Sequence, residues 1–178
     1  MDDLLGDHTE LLFVGINPSL WTAAVNAHFA RAGNRFWPAL HRGGVLPREV
    51  DARGGMSPED RVMVLTAGIG VTNLVPAATA RADELTRAQL NDGAVRLRAL
   101  VQRVRPRVVA ILGVTAYREA FAIPRTSPGR QPEALMGAEL WVLPNPSGLN
   151  AHESLDSLAA AYRVAAEAAG LEPLYERD

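Results

Sequence analysis

Two asparagine–proline pairs, at residues 17–18 and 145–146, are the strongest candidates for chemistry in this sequence. Each pair follows a short apolar run, at 11–16 and at 140–143, of the type that forms a strand buried on both faces. An asparagine carbonyl can accept a hydrogen bond from water and direct its dipole at a developing positive charge, although it cannot take up a proton at neutral pH. Because proline cannot extend a strand, we expect each asparagine at the carboxyl end of its strand, where open α/β sheets bind ligands.

The two pairs are expected to form one composite site, because the carboxyl ends of parallel strands meet at the same edge of a sheet. Asparagine–proline pairs also begin ordinary turns, so either pair alone would favour a purely structural role. The connection at 19–33 carries Trp21, His28 and Phe29, and connections of this length are usually functional or disordered. Both pairs together, with an aromatic loop between them, favour a binding site.

The remaining pattern places these candidates in an α/β fold. Buried strands at 11–16, 108–112 and 140–143 alternate with helical segments. This alternation predicts a three-layer αβα sandwich with a short, mainly parallel central sheet, in a single domain spanning residues 1–178. The predicted helices run from Asn34 as N-cap to the glycines at 43–44, and over 82–90, 94–104, 115–121 and 154–169.

Two segments are less regular. Residues 61–65 fit either a short strand or the end of a helix begun at 57–59. Residues 68–76 are rich in turn-forming types, and we expect them beside the ligand-binding edge of the sheet. The two glycines at 68 and 70 lack the third glycine of a dinucleotide-binding pattern, so they do not predict such a site.

Composition limits the classes of function. The 178 residues are 48% hydrophobic and 21% charged, as in ordinary globular proteins, and no apolar run approaches the ~18 residues of a spanning helix. The acidic start at residues 1–5 differs from the basic start of a signal peptide and predicts a cytoplasmic protein with no membrane partner. The net charge of −2 requires any nucleic-acid-binding surface to be local. We expect a monomer.

Two residue types are absent from the sequence, and each absence excludes a kind of chemistry. Without cysteine there is no disulfide and no thiolate-bound zinc or iron–sulfur cluster, and four scattered histidines predict no metal site and no cofactor. Without lysine there is no lysine Schiff base. All 18 basic residues are therefore arginine, which suits bidentate phosphate contacts but also fits the codon usage of a GC-rich genome.

Four segments, in order along the chain, resemble one known family. They are Gly-Ile-Asn-Pro at 15–18, Asn-Arg-Phe-Trp at 34–37, Gly-Val-Thr-Asn-Leu-Val at 70–75 and Leu-Pro-Asn-Pro-Ser-Gly-Leu at 143–149. This set is similar to the motifs of the mismatch-specific uracil-DNA glycosylases, the bacterial relatives of thymine-DNA glycosylase. The resemblance covers nearly the whole chain. It implies hydrolysis of the N-glycosidic bond of uracil, or of a related damaged or mismatched pyrimidine, in double-stranded DNA without cutting the backbone.

The resemblance also implies roles for individual residues. Asn17 would position the attacking water, and Phe29 would stack on the extruded base. Ile16 and Asn34 are implied as further base contacts, and Leu149 would enter the duplex as an apolar wedge. Phe29 could instead be an ordinary core residue, and the N-cap role alone would explain Asn34. The loop around the wedge supplies the remaining implied DNA contacts, which are Asn145, Ser147, Gly148 and Asn150. Asn145 and Ser147 could instead hold this loop in place.

The sequence departs from the family pattern in two places. Ser19 follows the first pair where a glycine is common, which could narrow the pocket against 5-substituted pyrimidines such as thymine or merely shift the loop. Residues 150–152, Asn-Ala-His, lack the basic side chain that often follows the wedge. A simple readout of an opposing guanine is therefore not implied.

Asp92 is a candidate carboxylate base that would assist Asn17 and broaden the range of bases removed, although it could also be the N-cap of the helix at 94–104. Asp83 and Glu84 are weaker candidates for the same role. Two other functions stay open. One is a DNA-damage-binding or nucleotide-binding module without turnover, and the other is a hydrolase of small nucleosides, which would not need an exposed Leu149.

Overall fold

A computed structural model describes residues 1–172 and 174 of the chain. Short strands and helices alternate along these residues, as the apolar pattern predicts. The strands are β1 (Leu11–Gly15), β2 (Ile69–Asn73), β3 (Val108–Leu112), β4 (Gly129–Arg130) and β5 (Glu139–Leu143). The helices are α1 (Leu20–Ala24), α2 (Phe36–Arg42), α3 (Pro58–Thr66), α4 (Arg87–Val104), α5 (Val114–Phe121) and α6 (Leu155–Ala168), and a 3₁₀ turn covers Ala82–Glu84.

The strands form one sheet in the order β2-β1-β3-β5-β4. The first four strands of this order are parallel, and the short β4 pairs antiparallel with β5. In the register of the sheet, Gly15 lies beside Asn73 and Leu112 beside Leu143. The carboxyl ends of the parallel strands therefore share one edge, and the predicted α/β fold with a mainly parallel sheet is confirmed.

Helices cover both faces of this sheet. Leu11 and Phe13 of β1 pack with α2, α3 and α6, whereas Leu12 and Val14 pack with α4 and α5. All four side chains are fully buried. Burial of a side chain of this size contributes about 1.5–3 kcal/mol, which is why the two-sided apolar pattern gives three layers.

The prediction of an irregular segment at 68–76 is wrong for the five residues of β2. Gly70 lies where a Cβ would be 2.7 Å from Cγ2 of Thr9, so the strand packs closely at a position without a side chain. Thr72 and Asn73 are buried as well, although both are polar. The ambiguous residues 61–65 belong to α3, whose N-cap is Ser57.

The predicted helices at 82–90 and 94–104 are largely one helix, α4. Its N-cap is Thr86, whose Oγ1 accepts a hydrogen bond from Gln89 N at 3.2 Å. Gly93 lies inside this helix, where a Cβ would be 2.6 Å from the Leu74 carbonyl oxygen. A glycine at this position therefore lets the helix pack closely against the chain after β2. Asp92 is consequently an exposed mid-helix residue, and the alternative that it caps a helix is wrong.

The connection at 19–33 contains the short helix α1, and Ser19 caps it by accepting a hydrogen bond from Thr22 N at 3.1 Å. Helix α2 begins at Phe36 with Arg35 at the N-cap position, one residue after the predicted cap. Asn34 still stabilises this helix start, because its Oδ1 accepts from Phe36 N at 2.9 Å. Among the described residues, the helices are too short or too polar to cross a membrane.

Candidate active site

A pocket of about 280 Å³ opens at the carboxyl edge of the parallel strands. Its volume is close to the lower end of the ~300–1,000 Å³ range of small-molecule sites. Both asparagine–proline pairs contribute to its walls, so the structure brings them together as the sequence predicts. The residues around the pocket are 15–19, 22, 29, 31, 34, 73, 79–83, 112, 145–147 and 149.

The side-chain amide of Asn17 is anchored through its nitrogen. Nδ2 donates to the carbonyl oxygens of Pro18 at 3.2 Å and Ala77 at 3.0 Å, and to Thr79 Oγ1 at 2.7 Å. Because a carbonyl oxygen can only accept, these contacts fix which end of the amide faces them. Asn17 Oδ1 accepts no hydrogen bond from any residue that the structure describes. The pocket thus contains a free acceptor that can hold a water molecule.

Thr79 completes this anchor, and sequence reasoning did not find it. Its hydroxyl accepts from Asn17 and donates to the Arg81 carbonyl oxygen at 2.7 Å, while its backbone N–H donates to the Pro18 carbonyl at 3.2 Å. The hydroxyl–amide contact joins residues 62 positions apart, and no local pattern signals it. The turn at 17–18 and the loop at 77–81 therefore form one wall.

Phe29 forms a second wall. Its φ of 57° lies in the left-handed region, which costs a non-glycine residue about 1–2 kcal/mol. The half-buried ring packs on Phe36, with ring centroids 4.0 Å apart and planes 30° apart. A Cβ on Gly15 would lie 3.2 Å from the Phe29 ring and 2.6 Å from Oδ1 of Asn73. Only glycine therefore lets this aromatic ring and this amide meet over the end of β1.

Asn73, at the end of β2, is a second pocket residue to which sequence reasoning gave no role, although it lies within one of the four motif segments. It is only 6% exposed, and its Nδ2 lies 3.5 Å from Nδ1 of His28 and 3.7 Å from Sδ of Met1. Within the described residues its Oδ1 accepts no hydrogen bond. The Nε2 of the buried His28 lies 3.0 Å from the Asp2 carbonyl oxygen. Burial lowers the pKa of His28 to about 4, so the ring is neutral at neutral pH.

The low pKa of His28 predicts that folding is sensitive to acid. In the unfolded chain a histidine takes up a proton near pH 6.5, whereas burial delays protonation in the folded protein to about pH 4. The contribution of the neutral His28 ring to the free energy of unfolding is therefore fully present above pH 6.5. It decreases by about 3 kcal/mol as the pH falls to 4. Urea unfolding near neutrality and near pH 4 should show a smaller loss in His28→Gln than in the wild type. An equal loss of unfolding free energy in both proteins would contradict the lowered pKa of His28.

Ile16 and Asn34, the other predicted base contacts, also line the pocket. The Oδ1 of Asn34 already accepts a hydrogen bond from Phe36 N, so this residue stabilises the start of α2. Its Nδ2 donates to no residue in the part of the chain that the structure describes. Asn34 can therefore stabilise the helix and offer a donor to a ligand at the same time.

The loop after β5 presents Leu149 at the rim of the pocket. Ser147 N donates to Asn145 Oδ1 at 2.9 Å, and Asn150 Nδ2 donates to the Asn145 carbonyl at 3.1 Å. Leu149 N lies 3.2 Å from Ser147 Oγ and donates to it. The side chain of Leu149 is 76% exposed, so it does not pack in the core. An internally bonded loop thus holds a large apolar side chain in solvent beside the pocket.

Arg35 holds this loop from the α2 side, and sequence reasoning missed it too. Its Nη2 donates to the carbonyl oxygens of Ser147 at 2.7 Å and Asn150 at 2.9 Å, and its Nη1 donates to the Glu153 carbonyl. Its backbone N–H donates to the Pro146 carbonyl at 3.0 Å. The rigid fork of a guanidinium suits such a set of acceptors. The side-chain contacts span 112 to 118 positions, so the local sequence carries no signal of them.

Gly148 brings the same loop against the loop at 29–34. A Cβ on Gly148 would lie 2.6 Å from the Gly33 carbonyl oxygen. The two loops therefore meet backbone to backbone, and a larger residue at 148 would separate them.

Comparison with known proteins identifies the family. A sequence profile described as "Uracil DNA glycosylase superfamily" matches residues 3–168. The chain belongs to the uracil DNA glycosylase superfamily. Its structure is similar to the solution NMR structure of a candidate uracil DNA glycosylase from Methanosarcina acetivorans, with 21% sequence identity, 92% of this chain and 95% of that chain covered, and a TM-score of 0.63. At this identity the likeness shows the shared fold.

In this member of the uracil DNA glycosylase superfamily, the predicted site residues lie at the pocket or in the loop at its rim, with Asp92 as the exception. Asp92 is exposed on α4 and does not line the pocket. Asp83 does line it, and its carboxylate is paired with the guanidinium of Arg81. Glu84 accepts from Arg81 N at 2.8 Å and caps the 3₁₀ turn. Within residues 1–172 and 174, no cluster of three or more His, Asp or Glu side chains could hold a metal ion.

Proposed function

We propose that this protein is a monofunctional, mismatch-type DNA glycosylase that hydrolyses the N-glycosidic bond of uracil extruded from double-stranded DNA. The observation that carries the proposal is the free Oδ1 of Asn17 in a pocket walled by the ring of Phe29, with the exposed Leu149 at the rim. An enzyme that acts on an extruded base needs a pocket for the base, a group that holds water, and a side chain that replaces the base in the stack.

Asn17 would position the attacking water without acting as an acid or a base. Cleavage of a glycosidic bond develops positive charge on the sugar, and uracil leaves as a delocalised anion, so a strong acid is not required. The Oδ1 of Asn17 would accept a hydrogen bond from the attacking water and direct its dipole at the developing charge. Because the amide cannot take up the proton of that water, we expect slow turnover.

Asn73 and Phe29 would recognise the base. A base stacked on the Phe29 ring would present its edge to Asn73, and the free Oδ1 there would accept from the N3–H of uracil. Ser19 also lines the pocket, and its extra bulk compared with glycine supports uracil over 5-substituted pyrimidines. The absence of lysine supports simple hydrolysis rather than an imine followed by strand cleavage.

Replacing Leu149 with alanine is expected to weaken retention of a duplex containing a G·U pair by about tenfold, because the variant loses the apolar surface that would fill the gap in the stack. The side chain is 76% exposed, so its removal opens no core cavity and should leave the melting temperature unchanged. A gel-shift titration measures the retention. Val95→Ala on α4 removes another exposed apolar side chain and serves as the control. Equal retention by the two variants would argue against a wedge.

Asp83 is the carboxylate that we propose as an assistant to Asn17, since it lies on the pocket wall that also contains Thr79. Asp83→Asn is expected to slow uracil release by roughly tenfold in single-turnover experiments, within the range of general-base contributions. Asp92→Asn removes the same charge from the exposed face of α4 and should leave the rate unchanged. If both variants release uracil at the wild-type rate, Asn17 works without a carboxylate.

The activity itself is tested with a duplex that contains a single G·U pair, incubated with the protein and then treated with alkali. Strand breakage that depends on alkali supports the glycosylase. Retention of the duplex without breakage would instead indicate a binding module, and cleavage of free nucleosides alone would indicate a nucleoside hydrolase. Duplexes with A·U and G·T pairs, measured in parallel, test the preference for a mismatch and the exclusion of thymine.

A further inference from the structure

The N-terminal segment, residues 1–4, is fixed along the outer side of β2. Leu4 and Val71 exchange two backbone hydrogen bonds of 2.8 Å in an antiparallel bridge. The carboxylate of Asp3 accepts from Thr72 Oγ1 at 2.6 Å. The segment is therefore held against the strand that ends in Asn73, the pocket residue with a free Oδ1.

Arg96 ties the same strand end to this segment from α4. Its Nη2 donates to the backbone carbonyl of Asn73, and its Nη1 lies 3.9 Å from Oδ2 of Asp3. Both groups lie in a part-buried environment, where such contacts are less screened by solvent. The backbone of Asn73 and the N-terminal segment consequently have a common anchor, which leaves the side-chain amide as the part that could still rotate.

The Asp2 carbonyl sets the tautomer of His28. Nε2 of His28 lies 3.0 Å from this carbonyl, which can only accept, so Nε2 carries the proton. A neutral ring then has its lone pair on Nδ1, and Nδ1 lies 3.5 Å from Nδ2 of Asn73. The amide hydrogens of Asn73 face His28 and the sulfur of Met1, and Oδ1 is the end left for the pocket.

We propose that the N-terminal segment and His28 are positioning elements of base recognition, which keep the carbonyl end of the Asn73 amide facing the pocket. The inference rests on the proposed function. A fixed acceptor admits a base that presents a ring N–H, such as uracil, and disfavours cytosine, whose N3 presents a lone pair. Rotation of the amide by half a turn would reverse this preference. It would also place Oδ1 of Asn73 against the lone pair of His28 Nδ1, which opposes the rotation.

The first test is spectroscopic and does not depend on turnover. In the protein spanning residues 1–178 and labelled with ¹⁵N, the ring of His28 is expected as the Nε2–H tautomer near neutral pH, with its Nδ1 signal typical of an accepted hydrogen bond. Detection of the Nδ1–H tautomer would overturn the proposal, whether or not the protein is an enzyme.

The second test uses two substitutions of His28. A glutamine can donate to the Asp2 carbonyl and accept from Asn73, whereas a leucine fills the space but does neither. His28→Leu is expected to slow single-turnover uracil release by about tenfold, the cost of one lost hydrogen bond, and His28→Gln should restore most of the rate. Equal rates in the two variants, with equal preference for uracil over cytosine, would overturn the proposal.

A competition with free bases separates this inference from the proposed activity. The side-chain amide signals of Asn73 are followed while uracil or cytosine is added to the wild type, to His28→Leu and to Asp3→Ala. Asp3→Ala loosens the N-terminal segment without touching the ring. Preference for uracil in the wild type, reduced in both variants, supports the positioning role even if no duplex is cleaved. Binding of neither base by the wild type, or the same preference in all three proteins, contradicts it.

Discussion

Asn17→Ala is expected to slow the release of uracil from a G·U duplex by about 10²–10³-fold, the effect typical of removing one preorganised polar group from a reaction centre. The substitution deletes the free acceptor of the pocket wall, while Leu149 and its loop stay in place. Enzyme in excess over duplex gives the rate of the chemical step, because product release then does not limit the observed rate. The dissociation constant for the same duplex, measured by fluorescence anisotropy, should change little.

Thr79 offers the matched control for this experiment. Thr79→Ser keeps the hydroxyl that accepts from Asn17 Nδ2, whereas Thr79→Val removes it at a similar shape. We expect the valine variant to lose about tenfold in rate, as for one hydrogen bond, and the serine variant to retain most of it. Full activity in Asn17→Ala would mean that another group holds the water, and Asp83 would then be the first residue to examine.

Arg35→Ala is expected to weaken retention of the G·U duplex by about tenfold or more. The guanidinium bonds three backbone carbonyls of the loop that carries Leu149, and hydrogen bonds to a charged donor are stronger than neutral ones. Without them the loop no longer holds its exposed leucine in one place. Limited proteolysis should show faster cleavage within residues 145–153 of the variant, and a gel-shift titration measures the loss of retention.

The loss of a positive charge has to be separated from the loss of the loop anchor. Arg42→Ala removes an exposed arginine that pairs with Asp156 on the surface, and it should leave retention nearly unchanged. The dependence of binding on salt distinguishes two roles of Arg35. A residue that contacts carbonyls leaves the slope of log K against log salt as in the wild type, whereas a phosphate contact would reduce the slope by about one.

Most of the sheet was predictable because its apolar residues are contiguous along the chain. Every residue of β1 and β3 is buried, and both strands read as short apolar runs. Every residue of β2 is buried too, but its sequence Ile-Gly-Val-Thr-Asn contains two polar side chains whose partners lie elsewhere. A hydrophobic pattern reveals a buried strand only when the buried side chains are apolar. The strand β2 was therefore missed, although it supplies the pocket residue Asn73.

Some residues of the candidate site could be predicted from the sequence, and others could not. Asn17 could be predicted from its place at the end of a buried strand, and Leu149 from the resemblance of its segment to a family motif. Arg35, Thr79 and Asn73 act through partners that are distant in sequence, such as the Glu153 carbonyl for Arg35, 118 positions away. Such partnerships are fixed by the topology of the sheet and the loops. A single sequence shows the residue types but not these pairs.

The contact between Gly33 and Gly148 links the two halves of the site mechanically. Since the carbonyl oxygen of Gly33 lies 2.6 Å from the position that a Cβ on Gly148 would occupy, an inward shift of either loop would press on the other. In the proposed glycosylase, capture of the base beside Phe29 and insertion of Leu149 between base pairs would then be coupled. We therefore expect the two loops to respond together when a nucleotide enters the pocket.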